Sequence, residues 1–299
     1  MKNRILRQFL PVLLILFLLL TAVTSGACAR EGKNFLWRTQ TRTATVYLLG
    51  SVHFMKKGAY PLSRAIEEAF AGSDTLAVEA DINNIGKDTL EKLREAGFYH
   101  GEDSLARHIS PETYAYVRQE AVRLGFPLAA VDRQKPWFLG MMLSAMELMK
   151  SGYNPHYGID KYFLTKAAGK KIILELESID YQINLLAGLP DNEQEHFLIY
   201  AIKDLQSLIA QMDMVMEAWR SGNAGEISSI MERSIAADKR LQAIHEKIMT
   251  DRNRNMTQKI ISCLSAQGTV FVVVGAGHLV GDLGIVELLR KQGYTVEQL

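Results

Sequence analysis

Apolar and polar positions along the 299-residue chain change period several times, and those changes divide it into elements. Residues 44–49, Ala-Thr-Val-Tyr-Leu-Leu, form a continuous β-prone run ending in Gly50-Ser51-Val52-His53, which predicts a strand buried on both faces. A helix is predicted next, with Pro61 at its first position, Ile66, Ala69 and Phe70 on one face, and Gly72 closing it. Thr75-Leu76-Ala77-Val78 then predicts a second strand running into Glu79. Strand, helix and strand within so short a stretch make a βαβ unit, whose handedness sets the two strands parallel with His53 and Glu79 at their carboxyl ends.

The middle of the chain reads as mostly helical. Helices are predicted over 88–97, from Ser110-Pro111-Glu112 to Gly125, from Lys135-Pro136-Trp137 to about Lys150, and from Gly158-Ile159-Asp160 to Gly169. Short strands are predicted at 127–132 and at 171–176, the second leading into Glu177. From Asp191, with Gln194 completing a capping-box pattern, Phe197, Ala201, Leu205, Leu208, Met212, Val215 and Trp219 recur at steps of three or four and predict one long amphipathic helix. Further helix to about Leu264 gives a helical layer or subdomain over roughly 191–264, whose methionines read as core filler ahead of a promiscuous peptide groove. A strand over 269–274, the sequence Gly275-Ala276-Gly277-His278, a helix over 282–292 and a terminal strand at 294–296 complete the pattern. The fold class is therefore α/β, with a mostly parallel central sheet, flanking helices and a large helical insertion.

The first residues follow a different pattern. Lys2, Arg4 and Arg7 precede an apolar stretch from Phe9 to Val23, followed by Ser25-Gly26-Ala27-Cys28-Ala29, which together read as a secretory signal over 1–27. Cleavage before Cys28 would leave that residue for lipid attachment and hold the protein to a membrane, although Ser25 stands where lipoprotein signals usually carry Leu. Cleavage after Ala29 would release a soluble protein. The alternative is an uncleaved segment kept as a membrane anchor; each of these routes places the domain of residues 28–299 outside the cytoplasm. The other cysteine, Cys263, lies in an apolar helical stretch and reads as an inert buried thiol. With 34 basic and 33 acidic residues, the chain has no basic excess suited to nucleic acid.

The candidate chemistry lies in a recurrence: two distant β-runs end in Gly, two residues and His, at His53 and His278. Strand carboxyl ends open onto the crevice where ligands bind in parallel sheets, so both histidines and Glu79 are expected to converge in one cavity. Two neutral imidazoles and a carboxylate suit a divalent metal such as Mn, Co or Zn, while a metal-free site would use His and Glu as general bases on water. Glu177, also at the end of a β-run, is a candidate fourth ligand or base, or else a solvated carboxylate.

In order along the chain, Leu48-Leu49-Gly50-Ser51-Val52-His53, Val78-Glu79-Ala80-Asp81, Lys135-Pro136-Trp137, Gly158-Ile159-Asp160, Leu176-Glu177 with Gln182, Arg252-Asn253, and Val274-Gly275-Ala276-Gly277-His278-Leu279-Val280-Gly281-Asp282 resemble the signature blocks of the TraB/GumN family. The resemblance covers roughly residues 35–299. It extends to the Tiki proteins, membrane-attached metalloproteases that clip secreted signalling proteins, and distantly to erythromycin esterases and a haem-binding lipoprotein family. It implies a metal-dependent hydrolase of peptide or protein substrates, centred on His53, Glu79 and His278 and served by an arginine, for which Arg252 is the better match and Arg254 the substitute. Such an arginine would stabilise an oxyanion or clamp a carboxylate. Gly277 precedes the second histidine where the family commonly has Ala or Ser, which is expected to loosen His278. A non-catalytic peptide-sequestering protein and a haem or iron carrier are the competing readings, and no tyrosine stands in a motif that proposes haem ligation.

Overall fold

The computed structural model describes residues 33–203, 205–237 and 240–299. The signal reading and Cys28 lie outside the described residues. Strands β1 (Leu36–Gln40), β2 (Ala44–Ser51), β3 (Thr75–Val78), β4 (Ile172–Glu175), β5 (Gly268–Gly275) and β6 (Val296–Gln298) form one sheet in the order β4-β3-β5-β2-β1-β6. The β4-β3, β3-β5 and β5-β2 pairings are parallel, and β1 runs antiparallel to both β2 and β6. The sheet is thus mixed, with a parallel block of four strands at its functional end and a single reversed strand near the other edge.

β5 lies between β2 and β3, so the first βαβ unit skips a position and the last long strand fills the gap. Leu49 aligns with Val273, and Val273 with Val78, which brings the ends of three strands level. Val272, Val273 and Val274 are fully buried, as are Val46, Leu48 and Leu49. Both faces are therefore covered, as an uninterrupted apolar run requires.

Helix α1 (Arg64–Ala71) packs on this block through Phe70, whose ring meets Phe163 at 4.8 Å and Phe271 at 5.5 Å. Phe163 belongs to a later helix, Ile159–Ala167. Ser63, not Pro61, caps α1, because its Oγ accepts a hydrogen bond from Ile66 N–H and leaves Pro61 in the preceding turn.

Several other elements depart from the sequence pattern. The 127–132 run is a one-turn helix, Leu128–Val131; Pro127 starts the turn, and its two alanines have little preference for extended backbone. The segment from Asp191 is helical over Asp191–Lys203 and again over Leu205–Arg220, on either side of the one residue between them that is not described. Both stretches pack on the buried helix Pro136–Lys150, as the continuous apolar period requires. β4 is an edge strand with Ile172 68% exposed, although its composition resembles that of the buried strands. β1 was not foreseen: its alternating Trp, Arg, Thr and Gln give little apolar signal until paired against β2. Cys263 is half-buried, and burial pushes its thiol pKa up. Among the described residues no helix is long and apolar enough to cross a membrane.

Two glycines hold the β2 terminus in place. The space a Gly50 side chain would need is filled by the Phe35 ring, and the Gly50 carbonyl accepts a 2.6 Å hydrogen bond from Trp219 Nε1. At Gly158 an added Cβ would stand 2.4 Å from the His53 carbonyl oxygen, while the next residue, Ile159, donates its N–H to Val52. Gly158→Ala must therefore shift backbone against backbone. It is expected to cost about 1–3 kcal/mol, read as a lowered denaturation midpoint; wild-type stability would show that the contact is not tight.

Candidate functional site

The side chains that follow the three strand ends meet around Gly275. A Cβ built on that glycine would lie 3.3 Å from Glu79 Oε1, 3.3 Å from the His278 ring and 3.6 Å from His53 Nε2. The chain turns at Gly275 directly from β5 into a single helical turn, Ala276–Leu279, which carries His278 inward. Beyond β3 and β4 the ladder continues, with Leu176 N–H donating to Val78 and Glu177 N–H to Glu79. That register sets the Glu177 and Glu79 side chains beside each other.

Each imidazole is oriented through its Nδ1. His53 Nδ1 lies 2.5 Å from Asp160 Oδ2, and Asp160 sits in the first turn of the helix that Gly158 precedes. His278 Nδ1 lies 2.6 Å from Asn253 Oδ1. Asn253 Nδ2 donates to the Leu283 carbonyl, so its amide oxygen is the atom that faces the ring and His278 must carry its proton on Nδ1. In its neutral form each ring then presents Nε2 as a lone pair, and His278 Nε2 lies 3.8 Å from Glu79 Oε1.

Arg252 completes the constellation. Its Nη2 donates to Glu79 at 2.6 Å and to Glu177 at 2.7 Å, its Nε donates to both Glu177 oxygens at 3.0 Å, and its Nη1 donates to the Ile248 carbonyl. Gln182 bridges the same two carboxylates, and Gly275 N–H donates to Glu79 Oε1 at 2.6 Å. Arg252 follows a π-helical segment, Glu246–Thr250, that runs into helix Asp251–Leu264. The extra residue in that turn changes which side chains the helix presents to the sheet, a feature common at functional sites. Arg254 instead pairs with Asp251 on the exposed side of the helix.

The charges shift in different directions. Burial by itself would raise the Glu79 pKa, but its electrostatic coupling to His278, Arg252 and His53 and the Gly275 N–H hold it well below the usual carboxylate range, Arg252 being the neighbour that stays charged at ordinary pH. Burial pushes His278 down to about 3, more than the attraction of Glu79 restores, so this ring is neutral at ordinary pH and Arg252 is the cation that keeps Glu79 ionised there. For His53, burial lowers the pKa and the Asp160 contact overrides it, leaving the value raised.

Among the described residues, no three His, Cys, Asp or Glu side chains stand close enough to make a ready-formed metal group. The chemistry of the donor set nevertheless fits a divalent ion. The two Nε2 lone pairs and Glu79 Oε1 are of the right kind, and Asp160 and Asn253 are the outer partners that metal-bound histidines use. Charge favours it as well: Glu79, Glu177 and Asp160 are 7%, 8% and 6% exposed, and Arg252 is the basic residue buried among them. Glu177 fits least as a ligand, because both of its oxygens are engaged by Arg252 and one also by Gln182.

All of the residues singled out from sequence, His53, Glu79, Glu177, Arg252 and His278, lie in this cluster. Asp160, Asn253 and Gln182 were not assigned roles by the sequence reading, although each occurs in a quoted motif. Their function is to hold another side chain, and such a task has no spacing signature.

His278 makes stability depend on pH. Its folded pKa lies below its unfolded value, so the unfolded chain binds the extra proton between about pH 6.5 and 3; the stability is complete above that window and is lost as pH falls through it. Comparing urea unfolding of wild type and His278→Asn should show wild type losing stability more steeply between pH 6.5 and 4.5, by up to about 1.4 kcal/mol per pH unit. Equal slopes would mean that the ring is not buried in its neutral form.

Comparison with known proteins agrees with the motif order. Residues 35–298 match the model of the TraB/PrgY/gumN family. A metalloprotease TIKI homologue of Amphimedon queenslandica is 26% identical over 171 residues, covering 54% of this chain and 30% of that protein. A second, from Nematostella vectensis, is 22% identical over 191 residues, covering 56% of this chain and 41% of that protein. A Treponema pallidum (strain Nichols) protein described as uncharacterized is 22% identical across 95% of this chain and 90% of its own length. The chain thus spans less than half the length of either TIKI homologue. No solved structure matches. With its motifs in order and the family model covering nearly all of the described residues, the chain belongs to the TraB/PrgY/gumN family.

Proposed function

We propose that the chain is a metal-dependent hydrolase of peptide or protein substrates, working at His53, Glu79 and His278. The observation that carries the reading is the pair of imidazoles on two strand ends, each anchored at Nδ1 and each presenting Nε2 toward the same buried carboxylate. The similarity to proteins named as TIKI metalloproteases supports the reaction class.

His53, Glu79 and His278 would hold the ion, with Mn, Co or Zn as the expected identities. When bound, it supplies Lewis acidity toward a substrate carbonyl and lowers the pKa of water. Asp160 and Asn253 keep the proton on each Nδ1 and so keep each Nε2 available. Arg252 holds Glu79 ionised and fixes its direction, while Glu177 and Gln182 hold Arg252 and Glu79 in register. Every nitrogen of that guanidinium already has a protein acceptor, which favours this positioning role over a direct clamp on substrate.

The amino-terminal pattern supports export, with the domain outside the cytoplasm either as a secreted protein or as a lipoprotein attached through Cys28.

His53→Ala and His278→Ala are each expected to lose bound metal and at least about 10²-fold in peptide hydrolysis. Exhaustive chelation should abolish activity, and added Mn²⁺, Co²⁺ or Zn²⁺ should restore it. Activity that survives chelation but disappears in His53→Ala would replace the metal mechanism with direct general-base hydrolysis. Undiminished activity in both histidine variants would end the assignment. For Glu79→Gln the expected outcome is loss of metal; retained metal with a rate reduced about 10²- to 10⁴-fold would make Glu79 the general base instead. Cys28→Ser should move the protein from the membrane to the soluble fraction if the lipid anchor is used, and unchanged fractionation would remove it.

A further inference from the structure

The cluster of charged side chains occupies only one side of His53. On its other side the strand end Ser51–Phe54 and the turn Gly275–Gly277 form the floor of a pocket whose walls come from two helices, Leu205–Arg220 and Ala224–Ala237. The pocket has a cavity volume of about 80 Å³ and is open to solvent on one side. Its walls include Leu208, Met212 and Val215 from the first helix and Ile227 and Met231 from the second. None of these wall residues can satisfy a charged group, so an ionic side chain entering the pocket would give up hydration without replacement. Besides the His53 ring, the lining contains one polar side chain. Ser51 is only 2% exposed, and its hydroxyl is buried without a hydrogen-bond partner. A native core seldom leaves such an atom unsatisfied, and a ligand amide or carbonyl seated here would supply the missing bond.

We infer that this pocket is the specificity subsite for a large apolar side chain next to the scissile bond of the substrate, with Leu, Met and Phe preferred. The inference rests on the proposed hydrolase reading and adds to it the class of residue recognised. His53 belongs both to the pocket lining and to the candidate centre, so a side chain seated in the pocket places its own main chain beside the Nε2 atoms. Flexible methionines on both helices let the walls adjust to aliphatic or aromatic shapes while excluding charge. The helices that form the walls lie outside the glycine-histidine motifs, so the pocket can vary independently of the chemistry.

The test uses the full chain and quenched fluorescent peptides that differ only at the residues flanking the cut. Peptides with Leu, Met or Phe should exceed the Ala peptide about 10- to 100-fold in kcat/KM, the range expected for burying several methylene groups. Asp and Lys peptides should fall below Ala. Met231→Trp and Val215→Phe, each narrowing the pocket from a different helix, should reduce the Leu-to-Ala ratio at least tenfold; circular dichroism confirms that the variant used is folded. Binding of the same Leu and Ala peptides, labelled with fluorescein, is measured in parallel by anisotropy on wild type and both variants.

Cleavage without apolar preference, or a ratio unchanged in the folded variants, would overturn the pocket assignment and leave the hydrolase reading standing. Absence of cleavage together with at least tenfold tighter binding of the Leu peptide, lost in the variants, would support the pocket and overturn the hydrolase reading. Neither cleavage nor preferential binding would overturn both.

Discussion

The Arg252 guanidinium, buried between Glu79 and Glu177, is the interaction on which the rest of the site depends. It joins one helix to the ends of two parallel strands at hydrogen-bond distance, where all three side chains are buried. Removing one member of such a group leaves an uncompensated buried charge, a loss on the order of 3–5 kcal/mol. The tie also transmits position. Asn253, the next residue along the same helix, orients His278, so whatever fixes Arg252 fixes the second histidine with it.

The two imidazoles are built alike but held differently. His53 leans on a carboxylate and His278 on an amide; burial lowers the proton affinity of both, but Asp160 overrides it at His53 and leaves that value raised, while His278 stays lowered. One ring is thereby held next to negative charge and the other kept neutral across the physiological range. The common feature is geometric: in each, the protein occupies Nδ1 and leaves Nε2 for chemistry. The surrounding shell uses side chains of modest size from helices that pack against the parallel strands. Precision therefore comes from the sheet register, with Leu49, Val273 and Val78 aligned across three strands.

The apolar side of the site has another character. The Arg252 guanidinium and the carboxylates of Glu79 and Glu177 are tied together by hydrogen bonds, whereas the pocket beyond His53 has methionine and branched aliphatic walls and one unsatisfied hydroxyl. A charged, rigid interior next to a soft apolar hollow separates the reacting centre from the selecting surface. It also explains why the helical layer is rich in methionine: part of that content is core, as its period suggested, and part faces the pocket.

Much of this was legible in the chain. Continuous valine and leucine runs stopped by glycine determine buried parallel strands, and the repeated glycine and histidine ending marks where they open, because both signals are local and survive without knowledge of neighbours. The order of the strands was not legible. β5 inserts between β2 and β3 although it is the fifth strand in the chain, since backbone pairing has almost no residue code and is chosen by the packing of the whole sheet. Nor was the reversed strand β1, whose weak alternation acquires meaning only beside β2. The roles of Asp160, Asn253 and Gln182, the committed state of Glu177 and the π turn before Arg252 were likewise decided by tertiary contact, because each depends on which atom lies within about 3 Å, and distance between remote residues is a property of the folded chain alone.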